Sequence, residues 1–205
     1  EETGFGGSVA GAGDVDGDGY DDVIVGAHGY DNGESVEGAA FLYRGSATGL
    51  STSSSWSIES NQTNAEMGRS VSGVGDVDGD GYDDVIVGVP KYDSGEEDEG
   101  RAYLYRGSAS GLAASPAWTG EIDQAGAKFG WSVSDAGDVN GDGYDDVLVG
   151  ARAYTRGETN EGAAFVYLGS STGLAASHTW SVESNQEHAD FGRAVGGAGD
   201  LNNDG

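Results

Sequence analysis

Asp14-Val15-Asp16-Gly17-Asp18-Gly19-Tyr20-Asp21-Asp22 returns as Asp76 to Asp84 and, with one Asn, as Asp138 to Asp146; it begins a fourth time at Asp200. Each start lies 62 residues after the one before. A long period free of insertions marks an array of like structural units, and it decides the architecture before any local propensity is read. The repeated element is itself suited to a hard cation.

Oxygen side chains at positions 1, 3 and 5 of a tight loop converge on one ion when glycines let the backbone fold beneath them. A backbone carbonyl at position 7 and a carboxylate at 9 then close the shell. Calcium takes about six to eight such oxygens at about 2.3–2.6 Å. The first set is Asp14, Asp16, Asp18, the Tyr20 carbonyl and Asp22, and the second is Asp76, Asp78, Asp80, the Tyr82 carbonyl and Asp84. The third is Asp138, Asn140, Asp142, the Tyr144 carbonyl and Asp146. Asp200, Asn202 and Asp204 begin a fourth set that lacks positions 7 and 9, so three complete calcium sites and one incomplete site are expected. Gly19, Gly81 and Gly143 stand at position 6, where the turn favours a residue without Cβ. A solvated acidic turn explains one such stretch but not four in fixed register. A helical EF-hand needs a bidentate Glu at position 12, where this chain has Val25, Val87 and Val149. Those valines lie in short β-branched runs bounded by glycine, which read as buried strands.

Phe5-Gly6 and Gly11-Ala12-Gly13 precede the first loop, Phe129-Gly130 and Asp135-Ala136-Gly137 the third, and Phe191-Gly192 with Gly197-Ala198-Gly199 the fourth. Met67-Gly68 and Gly73-Val74-Gly75 take these places in the second copy and keep the apolar positions. With the acidic loops, these segments resemble the FG-GAP repeats of the integrin alpha-subunit β-propeller and its bacterial relatives. The resemblance covers the whole chain. It implies an all-β propeller of four-stranded antiparallel blades, with a ligand face opposite the calcium loops.

Four strand candidates fall within one period: Gly7 to Gly13, Asp22 to Ala27, Ala39 to Arg44 and Trp56 to Glu59. Four antiparallel strands make a propeller blade, and radial repetition limits exposed sheet edges. The chain is read as one continuous array over 1–205, with repeats 1–62, 63–124 and 125–186 and a partial repeat 187–205. Three blades and one further strand are too few to close a ring, because propellers use about four to eight blades. A longer polypeptide or assembly with like copies is therefore expected. Tyr43, Tyr105 and Tyr167 and Trp56, Trp118 and Trp180 recur once per repeat, as contacts between blades would.

A net charge of −27 excludes a nucleic-acid partner, which needs a basic face. Sixteen of the 36 acidic residues belong to the four loops, so much of the charge has this local cause. Cysteine is absent, so calcium takes the place of disulfide staples. Abundant calcium favours an extracellular or cell-surface setting. No apolar run approaches a membrane span, so no membrane insertion is expected. Asn61-Gln62-Thr63 fits the glycosylation pattern.

Connections alternate between the two ends of an up-and-down blade. The loops that vary between repeats therefore gather opposite the calcium loops, and variable loops are free to bind. Candidate residues there are Tyr30, Lys91, Tyr92, Lys128, Trp131, Arg152, Tyr154 and Arg156, of which the three tyrosines repeat and serve equally as loop anchors. The expected function is a calcium-stabilised binding or adhesion module for a protein or glycan ligand. Its alternatives are a structural unit that assembles with further copies of itself and an accessory propeller of a secreted hydrolase or lyase. Catalysis by this segment is not expected, because His28, His178 and His188 occupy unrelated repeat positions beside no nucleophile or acid pattern.

Overall fold

The computed structural model describes residues 3–199. Three four-stranded antiparallel sheets follow one another along the chain. The first blade is β1 (Phe5–Gly13), β2 (Asp22–Ala27), β3 (Ala39–Tyr43) and β4 (Trp56–Glu59). The second is β5 (Val71–Gly73), β6 (Val85–Val89), β7 (Arg101–Tyr105) and β8 (Trp118–Glu121). The third is β9 (Phe129–Gly137), β10 (Asp146–Ala151), β11 (Ala163–Tyr167) and β12 (Trp180–Glu183). Strand order in each sheet is sequence order, the simple meander of a propeller blade.

The second strands carry the core. Val85, Ile86 and Val87 are fully buried in β6, as is Ile24 in β2, and each such side chain stabilises the fold by about 1.5–3 kcal/mol. β-branched residues suit these positions because the pleated backbone leaves their restricted χ1 unstrained. The first strand starts two residues earlier than expected, because Phe5 pairs with Ala27 across a bulge at Gly6. The third strand ends one residue early, at Tyr43, and frees Arg44 for a contact described below. β5 is only three residues long, yet backbone bonds extend its pairing on both sides: Val74 donates to Asp84 and Gly88 to Ser70, each at 2.9 Å. Met67 is as buried in the second blade as Phe129 is in the third, so the altered spelling keeps the packing position.

Blades join through close backbone approach. A Cβ on Gly26 would stand 2.0 Å from the Gly68 carbonyl oxygen, and one on Gly88 2.0 Å from that of Gly130. A Cβ on Gly68 or Gly130 would in turn stand 2.2 Å from the Ala39 or Arg101 carbonyl oxygen, so the glycine after the repeated apolar residue is required by its neighbour blade as well as by its positive φ. Each tryptophan of β4 and β8 reaches across the same junction. Trp56 lies 5.0 Å from Tyr105 and donates to the Ala113 carbonyl at 3.0 Å, while Trp118 lies 4.9 Å from Tyr167 and donates to that of Ala175 at 3.0 Å. First strands are also tied, since the Val71 and Val133 amides donate to the Ser8 and Ser70 hydroxyls.

Candidate metal centre

The three acidic stretches form the loops between the first and second strands, with the same backbone in each. Asp14 accepts the amides of Asp18 and Gly19 at 3.0 and 2.8 Å. Asp76 holds Asp80 and Gly81, and Asp138 holds Asp142 and Gly143, at 3.1 and 2.8 Å in both cases. The position 6 glycines adopt φ of 89° to 90°, which costs a residue with Cβ about 1 kcal/mol or more.

Asp14, Asp16 and Asp18 each bring one carboxylate oxygen within 4.8 Å of the other two, as do Asp76, Asp78 and Asp84. Asp22 and Asp80 stand beside these trios and not within them. The third loop contains no such acidic trio among the described residues, since Asn140 takes position 3. Position 9 is buried in every loop. Asp22 Oδ1 accepts the Gly45 amide at 2.8 Å, while its Oδ2 is buried with no hydrogen-bond partner. Asp84 and Asp146 likewise hold the amides of Gly107 and Gly169. Burial, then the charges of Asp78 and Asp80, push the Asp84 carboxyl up to about 7 against two backbone donors. Burial also raises Asp22, Asp78 and Asp146. An orphaned buried oxygen among crowded carboxylates is a donor set that fits a hard divalent cation. Tyr20 is exposed, whereas the rings of Tyr82 and Tyr144 lie over Gly17 and Gly79 of the preceding loop, each 2.7–2.8 Å from where a Cβ would stand. Asp200, Asn202 and Asp204 lie outside the described residues.

Neighbouring loops are joined directly. Asp83, at position 8, accepts the Asp14 amide at 2.7 Å and returns its own amide to the Asp14 carbonyl at 3.3 Å. Asp145 does the same to Asp76, at 3.0 and 3.3 Å. Arg44 and Arg106 form ion pairs with Asp16 and Asp78 at 2.8 and 2.7 Å. Sequence reasoning passed over these residues. The recurrence of the aspartates at an even loop position was the signal available for them.

The other end of the blades gathers the remaining loops. Asn64 and Met67 donate backbone bonds to Ser35 and Glu37, which joins the connection after the fourth strand to that before the third. Each loop folds over a buried carboxylate that the sequence reading also missed, although Glu37, Glu99 and Glu161 recur at the repeat spacing. Glu161 Oε1 accepts the amides of Arg156, Gly157 and Glu158. Tyr30, Tyr92 and Tyr154 pack edge-on against Phe41, Tyr103 and Phe165, which makes them loop anchors. Lys91 pairs with Glu66 at 2.6 Å, and Lys128, Arg152 and Arg156 face Asp98, Asp190 and Glu183 at 3.8–3.9 Å. The guanidinium groups of Arg69 and Arg152 lie over the Trp131 ring, 4.3 and 3.7 Å from its centroid. No described helix is long and apolar enough to cross a membrane. His28 lies against Gly4 and Gly7, His178 packs on Phe165 and Tyr167, and His188 faces Glu187, so the histidines do not meet.

Comparison with known proteins agrees with this geometry. The FG-GAP repeat family model matches residues 5–43, 67–105 and 129–167, together more than half of the chain. Integrin alpha pat-2 of Caenorhabditis briggsae is 32% identical over 216 residues, covering 97% of this chain and 17% of that protein. Integrin alpha-7 of Homo sapiens is 34% identical over 160 residues, or 75% of this chain and 12% of the relative. Integrin alpha-PS2 of Drosophila melanogaster is 36% identical over 160 residues, or 72% and 11%. The chain thus spans less than a fifth of the length of these relatives.

Proposed function

The chain belongs to the FG-GAP repeat family, and from that premise we propose that it is a calcium-stabilised extracellular adhesion module that recognises a protein or glycan through the loops opposite the metal. The observation that carries the reading is the contrast between the two ends of the blades. One end repeats a single acidic loop with the same backbone, and its cations are Arg44 and Arg106. The other gathers the loops that differ between repeats and holds Arg69, Lys91, Arg101, Lys128, Arg152, Arg156 and Arg193 among carboxylates of its own, such as Glu66, Asp98, Glu121 and Asp190. Calcium is held by Asp14, Asp16, Asp18, Asp22 and the Tyr20 carbonyl and by their equivalents in the second and third loops. It offsets the repulsion among the carboxylates of each loop. Recognition by variable loops on a repeated scaffold needs no turnover, and no catalytic residue is assigned.

The test replaces Lys91, Lys128, Trp131, Arg152 and Arg156 together and measures binding to candidate proteins and glycans with calcium occupancy confirmed. Loss of binding with retained calcium supports the reading; unchanged binding overturns the assignment of the face. A specific observation favours a second reading, assembly with further blades or copies. Trp180 is 51% exposed where Trp118 is 8%, and Phe5 is 55% exposed where Phe129 is 0%. The outer faces of the first and third blades thus have the chemistry of a blade junction. Concentration-dependent association lost on substituting Trp180 distinguishes the two.

A further inference from the structure

Position 3 of the metal loop and the residue that follows the third strand change together. Asp16 faces Arg44 and Asp78 faces Arg106, but where position 3 is Asn140 the residue one period beyond Arg106 is Leu168. The geometry explains the match. In all three loops the position 3 Oδ1 accepts the amide two residues on, at 3.3, 3.2 and 2.9 Å. The second atom differs. Asp16 Oδ2 and Asp78 Oδ2 receive the arginine Nη1, while Asn140 Nδ2 donates to Asp142 Oδ2 at 2.9 Å. Asp16 and Asp78 side chains are only 5% and 6% exposed, so solvent screens these pairs far less than a surface salt bridge. Each arginine is also fixed from the next blade, since Nη2 donates to the carbonyl of Ser110 or Thr172 at 2.9 or 2.8 Å. Gly111 and Gly173 leave the room for it, as a Cβ there would stand 2.4 or 2.3 Å from Nη2.

We infer that Arg44 and Arg106 are charge-balancing partners of the first two metal loops, giving all three complete loops the same net charge toward a divalent cation. The inference rests on the calcium reading above. Four position 1, 3, 5 and 9 carboxylates with one guanidinium, or three carboxylates with one amide, both leave −3. Without the arginine, a four-carboxylate loop carries one more repulsive charge whenever the ion is absent. The arginine therefore holds the empty loop together and keeps its affinity level with that of the third.

The test is a double-mutant cycle at the second loop in the intact chain, read by competitive-chelator titration of calcium and by melting in excess chelator. Asp78→Asn leaves the guanidinium unopposed and is expected to weaken the second site about tenfold, the scale of coupling between groups in contact. Asp78→Asn with Arg106→Leu recreates the third loop and is expected to restore affinity to within about threefold of the unmodified chain. Arg106→Leu alone is expected to leave calcium affinity equal or tighter and to lower the melting temperature in chelator. Arg106→Lys, which keeps the charge but not the forked contact to Asp78 and Thr172, is expected to preserve calcium affinity and serves if the leucine variant does not fold. A double variant as weak as Asp78→Asn, or an Arg106→Leu protein with weakened calcium and unchanged melting in chelator, overturns the inference. Absence of calcium binding by the unmodified chain defeats the calcium reading itself and is seen before any variant is made.

Discussion

Trp118→Ala is expected to cost this chain far more than Trp180→Ala, although the two residues occupy the same position of the repeat. Trp118 is 8% exposed, its ring meets Tyr167 at 4.9 Å and 68°, and its indole nitrogen donates to the Ala175 carbonyl. Truncating a buried tryptophan costs about 3–5 kcal/mol. Within that total, the aromatic pair accounts for about 0.5–1.5 kcal/mol beyond its area and the hydrogen bond for about 1 kcal/mol. Trp180 is half exposed and makes no aromatic pair or hydrogen bond among those described. Its loss is expected to stay within about 0.5 kcal/mol. Trp118→Phe keeps a ring against Tyr167 but loses the donor, and falls between the two. Urea unfolding followed by circular dichroism at fixed calcium measures all three. Equal costs for Trp118→Ala and Trp180→Ala would refute the reasoning, because they would place the tryptophan's contribution within its own blade.

Calcium-free protein is expected to lose stability as pH rises from about 4 through about 7. Burial raises the Asp84 carboxyl from 3.8 to about 7, so the folded state binds this proton more tightly than the unfolded chain and that stability vanishes above the folded value. Asp22, Asp78 and Asp146 shift the same way; a melting temperature in chelator that climbs with pH over this window contradicts the account. Gly88→Ala sets a Cβ against the Gly130 carbonyl oxygen and is expected to cost about 2 kcal/mol or more through displaced backbone, whereas Gly11→Ala meets no atom within 4 Å and is expected to be near neutral. Thermal melting of the two variants checks this, and equal losses would show that the blades do not meet at Gly88.

The period carried most of what the sequence revealed. Once Asp14, Asp76, Asp138 and Asp200 are aligned, the second and fourth strands fall at Asp22–Ala27 and Trp56–Glu59, as they stand in the fold. Local pattern is sufficient there, because the acidic loop and Gly29 bound the β-branched run of the second strand, while Ser53 to Ser55 and Ser60-Asn61 bound the fourth. The junctions between blades were less legible. Asp83 meets Asp14 across 69 residues and Arg44 meets Ser110 across 66, and periodicity alone assigns neither side chain to its own blade or to the next. Asp83 read as one more acidic residue of its loop until its partner was seen to be the first residue of the loop before it. Glu37, Glu99 and Glu161 were hidden differently. They sit in the loops that vary most, and only the fold shows that all three are buried, with Glu37 and Glu161 accepting amides of their own loops.

Calcium titration of the intact chain, by isothermal calorimetry with stoichiometry checked by equilibrium dialysis, bears most directly on the central claim. The account predicts three ions per chain at the complete loops, with a melting temperature that rises on saturation because the ion binds only the folded loops. No bound calcium at millimolar concentration, or a melting temperature identical in chelator and in calcium, would contradict it.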